Sequence, residues 1–272
     1  MQEALFQQYA QLVQQHFGIQ LPLEKKALLE SRLFKLLNER HGQPGFGDER
    51  EFLNYVLEDA SGQALTLLSE AITTHHTFFM READHFDFFG KQVLPYLESC
   101  IRDGDVRTWC AACSSGEESY TLAMIMADFF ALRGPEWETT LLATDLSQDI
   151  LDVARSGVYT GEAVRSLPAQ WQAEFFHRLP DGNYQVSDRL KQKVLYRKFN
   201  LMTPVFPFRK PFHVIFCRNV MIYFDTPTRD ALVRKFYDFL EPGGFLFVGH
   251  SEVIDRQSAP FEYVMPSVYR KK

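Results

Sequence analysis

From about residue 105 onward the chain alternates short β-prone runs with helix-prone stretches, and this pattern constrains the fold most. Strands separated by helices must run parallel, in a sheet covered by those helices. Val106 to Ala111 is the first such run, and Glu117 to Leu132 reads as a helix stopped by Arg133-Gly134-Pro135. Thr139 to Thr144 is a second strand, ended by Asp145. Ser147 caps a helix running to about Arg155, with Gly157 just beyond it. Phe212 to Phe216 is another strand. Thr226 or Asp225 caps the next helix, with Pro227 at its first position. Pro242-Gly243-Gly244 is expected to end that helix, Phe245 to Val248 to form a strand, and Glu262 to Arg270 to add an edge strand. Gln185 to Phe199 breaks the alternation: Val186, Val194, Leu195 and Tyr196 sit among charges and read as a small β insert.

Ahead of this part, residues 1 to about 72 read as helical. Leu28, Leu29, Leu33, Leu36 and Leu37 recur at helical spacing between Glu24 and Arg40, and His41-Gly42 and Pro44-Gly45 end that helix. Phe52 to Leu57 and Ala64 to Ile72 suggest two more. The expected organisation is a helical domain over 1–72, a junction over 73–104, and an α/β domain over 105–272 with its insert at about 180–200. A chain of 272 residues suits two domains. Its net charge of −6 argues against a general nucleic-acid binder. The N-terminus lacks a targeting pattern, no apolar run reaches membrane-spanning length, and four cysteines make no disulfide framework. A soluble cytoplasmic protein with reduced thiols is expected.

Ligands of open α/β sheets bind at the carboxyl ends of strands, so polar residues there are candidates for function. Phe212 to Phe216 runs into Cys217-Arg218-Asn219 and then Tyr223. Trp109-Cys110-Ala111-Ala112-Cys113-Ser114-Ser115-Gly116-Glu117-Glu118 takes a strand through small residues into a helix. A dinucleotide site would use three glycines in this turn. Here one Gly is followed by two acids, which repel a pyrophosphate but suit an ammonium group; the plainer alternative is that they complement the helix dipole. Asp145, ending the next strand, suits ribose hydroxyls, with an Asx turn or helix cap as the alternative. Thr73 to Glu82 joins the two parts, and its Arg81 can clamp a carboxylate or pair with Glu82 or Asp84. His75-His76 lacks further metal ligands, and Cys110-x-x-Cys113 lacks a second pair, so pocket-lining residues are the better reading of both.

Taken together, Thr77-x-x-x-Arg81-Glu82, Ser115-Gly116-Glu117-Glu118-x-Tyr120, Ala154-Arg155-Ser156-Gly157-x-Tyr159, Cys217 to Phe224 and Gly249-His250-Ser251-Glu252 resemble the chemotaxis receptor methyltransferases, the CheR family. The resemblance spans nearly the whole chain. It implies a doubly wound, Rossmann-like methyltransferase domain, an all-helical N-terminal domain and a small antiparallel β subdomain. It implies S-adenosylmethionine as cofactor, S-adenosylhomocysteine as product, and glutamates of methyl-accepting chemoreceptor cytoplasmic domains as substrate, at receptor arrays. The implied cofactor set is His75, Thr77, Arg81, Glu117 or Glu118, Asp145, Asn200, Leu201, Arg218 and Asn219, and the implied catalytic set is Arg81, Arg218 and Tyr223. Arg81 would take the methionine carboxylate, Glu117 or Glu118 its ammonium group, and Asp145 the ribose. Asn200-Leu201 would lie by the adenine, and Arg218, Asn219 and Tyr223 on the substrate side. His75 stands where the family pattern carries Asn.

A glutamate carboxylate is ionised at neutral pH and attacks a sulfonium methyl group without a general base. The protein's task is then alignment, with Arg218 or Tyr223 orienting the nucleophile. Lys25, Lys26, Arg32, Lys35 and Arg40 match a receptor-facing basic helix of the family, diluted by Glu24, Glu30 and Glu39. The loop Leu179-Pro180-Asp181-Gly182-Asn183 is short for a β subdomain that binds a receptor's C-terminal pentapeptide, so no tether is expected. The alternatives are a non-catalytic module that keeps the fold, or a methyltransferase acting on another protein carboxylate. A nucleic-acid amine methyltransferase would place an Asn/Asp-Pro-Pro-aromatic motif where Arg218-Asn219-Val220-Met221 stands.

Overall fold

The structure, a computed structural model, describes residues 1–39, 46–134, 137–255 and 257–272. Arg40, His41-Gly42, Pro44-Gly45 and Pro135 lie outside the described residues. The N-terminal part carries α1 (Glu3–Phe17), α2 (Lys26–Glu39), α3 (Glu49–Glu58) and α4 (Gln63–Ile72). Their apolar faces bury Phe6, Tyr9, Val13, Leu33, Phe52 and Leu68 in a core of their own. Asp48 caps α3 by accepting from the Arg50 and Glu51 amides at 2.9 Å each. The junction adds α5 (Ala83–Phe88), a wide turn over Phe89–Val93, and α6 (Leu94–Cys100).

The α/β part follows with β1 (Thr108–Ala111), α7 (Glu117–Phe130), β2 (Leu141–Asp145), α8 (Gln148–Ser156) and β3 (Val158–Tyr159). Next come α9 (Gly161–Arg165), α10 (Ala169–Phe175), β4 (Phe176–Arg178), β5 (Tyr184–Val186), α11 (Asp188–Lys191) and β6 (Val194–Lys198). The chain closes with β7 (Phe212–Cys217), α12 (Thr226–Asp238), β8 (Leu240–Val248), β9 (Phe261–Met265) and β10 (Val268–Lys271). The main sheet has the order β6-β2-β1-β7-β8-β10-β9. β6, β2, β1, β7 and β8 run parallel, and β10 and β9 are added antiparallel. Two apolar layers cover its faces. One includes Phe86, Phe89, Met124, Leu151 and Phe216. The other packs Trp109, Phe206, Ile215 and Phe236. The strand order reverses between β1 and β7, which is where a doubly wound sheet leaves its ligand crevice.

Local signals explain most element ends. Ser147 caps α8 by accepting from the Ile150 amide, and Gly157 closes it in the left-handed conformation. Asp225 is the cap of α12, with Pro227 one place further in than expected. Three expectations are corrected. Pro242-Gly243-Gly244 does not end α12, which stops at Asp238; it lies inside β8, where the register steps from Leu240 to Phe245 against only Phe212 to Val214 on β7. The extra residues bulge out, a position that tolerates Pro and Gly. Glu262 to Arg270 forms two strands, β9 and β10, rather than one. The small antiparallel sheet is β3-β5-β4, spanning 158–186, while Val194 to Tyr196 belongs to β6, which pairs parallel with β2 at the edge of the main sheet.

Candidate functional site

A cleft open at its mouth lies over the carboxyl ends of β1, β2 and β7 and under the helical N-terminal part. Its floor is the loop after β1, where Ala112, Ser114 and Gly116 all have positive φ (64°, 50° and 99°). This winding turns backbone amides inward: the Cys113 amide donates to Thr144 O and the Ser114 amide to Asp145 Oδ2, both at 2.8 Å. A Cβ at Gly116 would lie 2.9 Å from the hydroxyls of both Tyr159 and Tyr196, so this position requires glycine.

Asp145 ends β2 with its carboxylate buried and aimed into the cleft. Burial pushes its carboxyl up, opposed by the Ser147 and Ser114 amides. Each oxygen takes one backbone N–H and keeps a lone pair for a ligand hydroxyl. Glu70 of α4 accepts from the Ser147 hydroxyl, and from the Gln148 amide at 2.7 Å, so the helical part steadies the turn that carries Asp145.

Arg218, at the end of β7, is a buried cation with its side chain 1% exposed. Nη1 donates to Glu118 Oε2 at 2.8 Å; Nη2 donates to Glu82 Oε2 at 3.0 Å and to the Arg81 carbonyl. The Phe86 ring lies 5.1 Å from its guanidinium carbon. Glu82 also accepts from Asn219 Nδ2 at 3.1 Å. Asn219 itself sits at φ 59°, held there by Glu252, which accepts the Asn219, Gly249 and Ile222 amides. Both terminal nitrogens of Arg218 are therefore engaged, and of the two expected orienting residues Tyr223 is the one that stands half-buried and open to the cleft.

Of the two acids opening α7, Glu118 lines the cleft. Glu117 turns away, accepting from the Ser115 hydroxyl at 2.6 Å, and burial pushes its carboxyl up. Tyr223 is set by the N-terminal part: the Gln20 amide donates to its carbonyl at 2.8 Å, Ile19 bridges to Phe224, and Lys25 Nζ lies 5.2 Å from its ring centroid. Asn200 donates to His16 O at 2.8 Å and accepts the Met202 amide at 2.9 Å, with Leu201 beside it in the cleft wall. His75, Thr77 and Arg81 line the opposite wall, and Arg81 Nη1 donates to His76 O at 2.8 Å. Every residue of the sequence-expected set except Glu117 thus faces this one cleft.

Other expectations resolve differently. Arg32 does not present a basic face: it caps the carboxyl end of α4 by donating to Ile72 O at 2.7 Å, Thr73 O at 3.0 Å and Thr74 Oγ1 at 3.0 Å. Cys110 and Cys113 are buried and burial pushes both thiols up, the reverse of what thiolate chemistry needs. Glu82, Glu252 and Glu70 were missed as organisers of the site. Glu82 and Glu252 sit inside recognised motifs, but their partners lie up to 168 and 33 positions away.

The donor set suits an amino acid joined to a nucleoside. Arg81 can meet a carboxylate, Glu118 an ammonium and Asp145 hydroxyls, while Leu146, Phe199 and Leu201 offer an apolar wall. Comparison with known families agrees. The family model described as "CheR methyltransferase, SAM binding domain" matches residues 75–269, and "CheR methyltransferase, all-alpha domain" matches residues 4–73.

The chain belongs to the CheR methyltransferase family.

A chemotaxis protein methyltransferase of Borreliella burgdorferi is 40% identical over 96% of this chain and 91% of its own length. The chemotaxis protein methyltransferase of Escherichia coli K12 is 33% identical over 98% of this chain and 90% of its own. Chemotaxis protein methyltransferase 2 of Pseudomonas aeruginosa is 33% identical over 97% and 91%. As a CheR protein the chain is an S-adenosylmethionine-dependent methyltransferase of chemotaxis. Among its described residues no helix is long and apolar enough to cross a membrane.

Proposed function

We propose that this CheR protein transfers the methyl group of S-adenosylmethionine to glutamate side chains of chemoreceptor cytoplasmic domains, forming methyl esters. The observation that carries the reading is the meeting of Arg81, Glu118, Asp145 and Tyr223 in one cleft. The cofactor, when bound, supplies an electrophilic methyl group on a sulfonium. Arg81 binds its carboxylate, Glu118 its ammonium group and Asp145 its ribose hydroxyls. Thr77 and His75 would complete that wall, Asn200 and Leu201 would flank the base, and Asn219 would line the substrate side.

The substrate carboxylate arrives ionised, so no residue has to remove a proton. Tyr223 orients it by donating its phenolic O–H. Arg218 acts at one remove, fixing the carboxylate of Glu118 and the carbonyl of Arg81. Residues 1–72 are the receptor-recognition domain, 73–104 the junction and 105–272 the methyltransferase domain. The β4–β5 turn at Leu179–Asn183 is short, which supports a member that works without a receptor pentapeptide tether and at receptor arrays in the cytoplasm. A micromolar complex with a free receptor-tail pentapeptide would contradict that part. Calorimetric titration with S-adenosylhomocysteine tests the cofactor site: micromolar binding by the parent, lost in Asp145→Ala, is expected, and a folded parent that does not bind contradicts it.

A further inference from the structure

His75 is the one ionisable imidazole among the cleft-lining residues that stands beside Asp145. Its orientation is fixed by bonding logic. The Thr73 hydroxyl lies 2.9 Å from His75 Nε2 and also 2.9 Å from Ser69 O. A carbonyl can only accept, so the single hydroxyl proton goes to Ser69 O, and Thr73 Oγ1 must accept from His75. Nε2 therefore carries the proton. Among the described residues Nδ1 takes no hydrogen bond, which leaves it an acceptor in the neutral ring and a donor in the protonated one.

The groups facing this ring come from three elements: Asp145 at the end of β2, Glu70 on α4 and Arg32 on α2. Glu70 is spent on the Ser147 hydroxyl and the Gln148 amide. Arg32 is spent on the carboxyl end of α4. Asp145 has already given one lone pair of each oxygen to a backbone amide. A ribose offers two adjacent hydroxyl donors, and a second acceptor next to Asp145 lets them be shared.

We propose that His75 is a cofactor-positioning residue whose neutral Nδ1 accepts a ribose hydroxyl next to Asp145, so that cofactor affinity falls when the ring takes up a proton. Protonation turns Nδ1 into a donor, which cannot accept the hydroxyl and competes with it for the Asp145 carboxylate. Burial holds the imidazole below its ordinary value, with Asp145 and Glu70 opposing that and Arg32 reinforcing it. The loss therefore falls on the acid side of about pH 6.5. The sign follows from linkage: the ligand prefers the deprotonated ring, so affinity is full above the ring's pKa and falls as pH drops through it.

The inference rests on the cofactor reading above, and one experiment separates the two. S-adenosylhomocysteine is titrated calorimetrically into the full chain between about pH 7.5 and pH 5, with His75→Gln alongside. Gln reaches the Thr73 hydroxyl with its amide but has no titrating nitrogen. The parent is expected to bind well at the upper pH and to weaken by about three- to tenfold toward the lower one, the size of one hydrogen bond. The variant, whose amide oxygen accepts at every pH, is expected to show an affinity flat across the range. A parent curve flat with pH, or a variant with the same acid loss, overturns the role of His75 and leaves the cofactor site intact. A folded parent that binds at no pH overturns the cofactor reading itself. NMR titration of the His75 ring is the check if the variant does not fold: the ligand should lower its pKa, and an unchanged or raised value overturns the proposal.

Discussion

Arg218 and Glu118, 100 positions apart in the chain, are joined at 2.8 Å with the arginine side chain 1% exposed and the glutamate 15%. Glu82 takes the other side of the same guanidinium at 3.0 Å. Removing one partner of a buried ion pair leaves uncompensated charge and typically costs about 3–5 kcal/mol. Arg218→Ala is therefore expected to lose about that much, read from urea unfolding midpoints. Arg218→Lys is expected to recover only part, because an ammonium lacks the planar fork that reaches both acids. An alanine variant as stable as the parent would contradict the pairing.

Glu82 gives this cluster a pH signature. Burial raises its carboxyl, but the hydrogen bond from Asn219 and the charge and hydrogen bond of Arg218 outweigh that and hold it below the ordinary glutamate range. A carboxylate lowered on folding contributes stability that is fully present above its unfolded value, about 4.3, and is lost as pH falls through the folded one. The parent is expected to lose stability on acidification below about pH 4.3, and Glu82→Gln to flatten that limb. Urea midpoints in acid check it; parallel limbs in parent and variant would contradict it.

The fold was readable wherever neighbouring residues decide local structure. Ser147 and Gly157 bracket α8, and the apolar run from Phe212 gives β7. The misreadings share a cause, since they depend on what lies beside a segment. Pro242-Gly243-Gly244 looks like a helix stop but occupies a bulge that β7 makes possible. Val194 to Tyr196 reads as part of a small β insert because, as an edge strand, β6 alternates between buried Val194 and Tyr196 and exposed Leu195. In the site, Asp145 and Arg81 were legible from their places at a strand end and at the junction. The function of Glu82 was not, because Arg218 is 136 positions away.

Tyr223 is expected to position the nucleophile while leaving the cofactor untouched. Tyr223→Phe keeps the ring against Lys25, 5.2 Å away, and removes only the O–H donor. Turnover should fall on the order of 10²-fold, the scale on which misaligned nucleophiles lose rate. S-adenosylhomocysteine affinity should stay within about twofold, less than one hydrogen bond's worth. Weakened product binding with unimpaired turnover would reverse the assignment.

Asp145 combines two tasks that a single substitution separates. Asp145→Asn keeps one carbonyl oxygen for a backbone amide and loses the charge proposed to meet the ribose hydroxyls. A hydrogen bond to a charged group contributes about 1.5–3 kcal/mol, so S-adenosylhomocysteine affinity should fall by roughly 10- to 150-fold. The change in binding enthalpy and dissociation constant by calorimetry checks this, and equal affinity would place the ribose elsewhere.

The most direct test of methyl transfer to receptor glutamates is an assay with methyl-labelled S-adenosylmethionine and a chemoreceptor cytoplasmic fragment. The account predicts label on the receptor that alkali releases as methanol, that maps to glutamate side chains, and that disappears with Arg81→Ala. Label that resists alkali, or folded cofactor-bound enzyme that labels no receptor fragment, would contradict it.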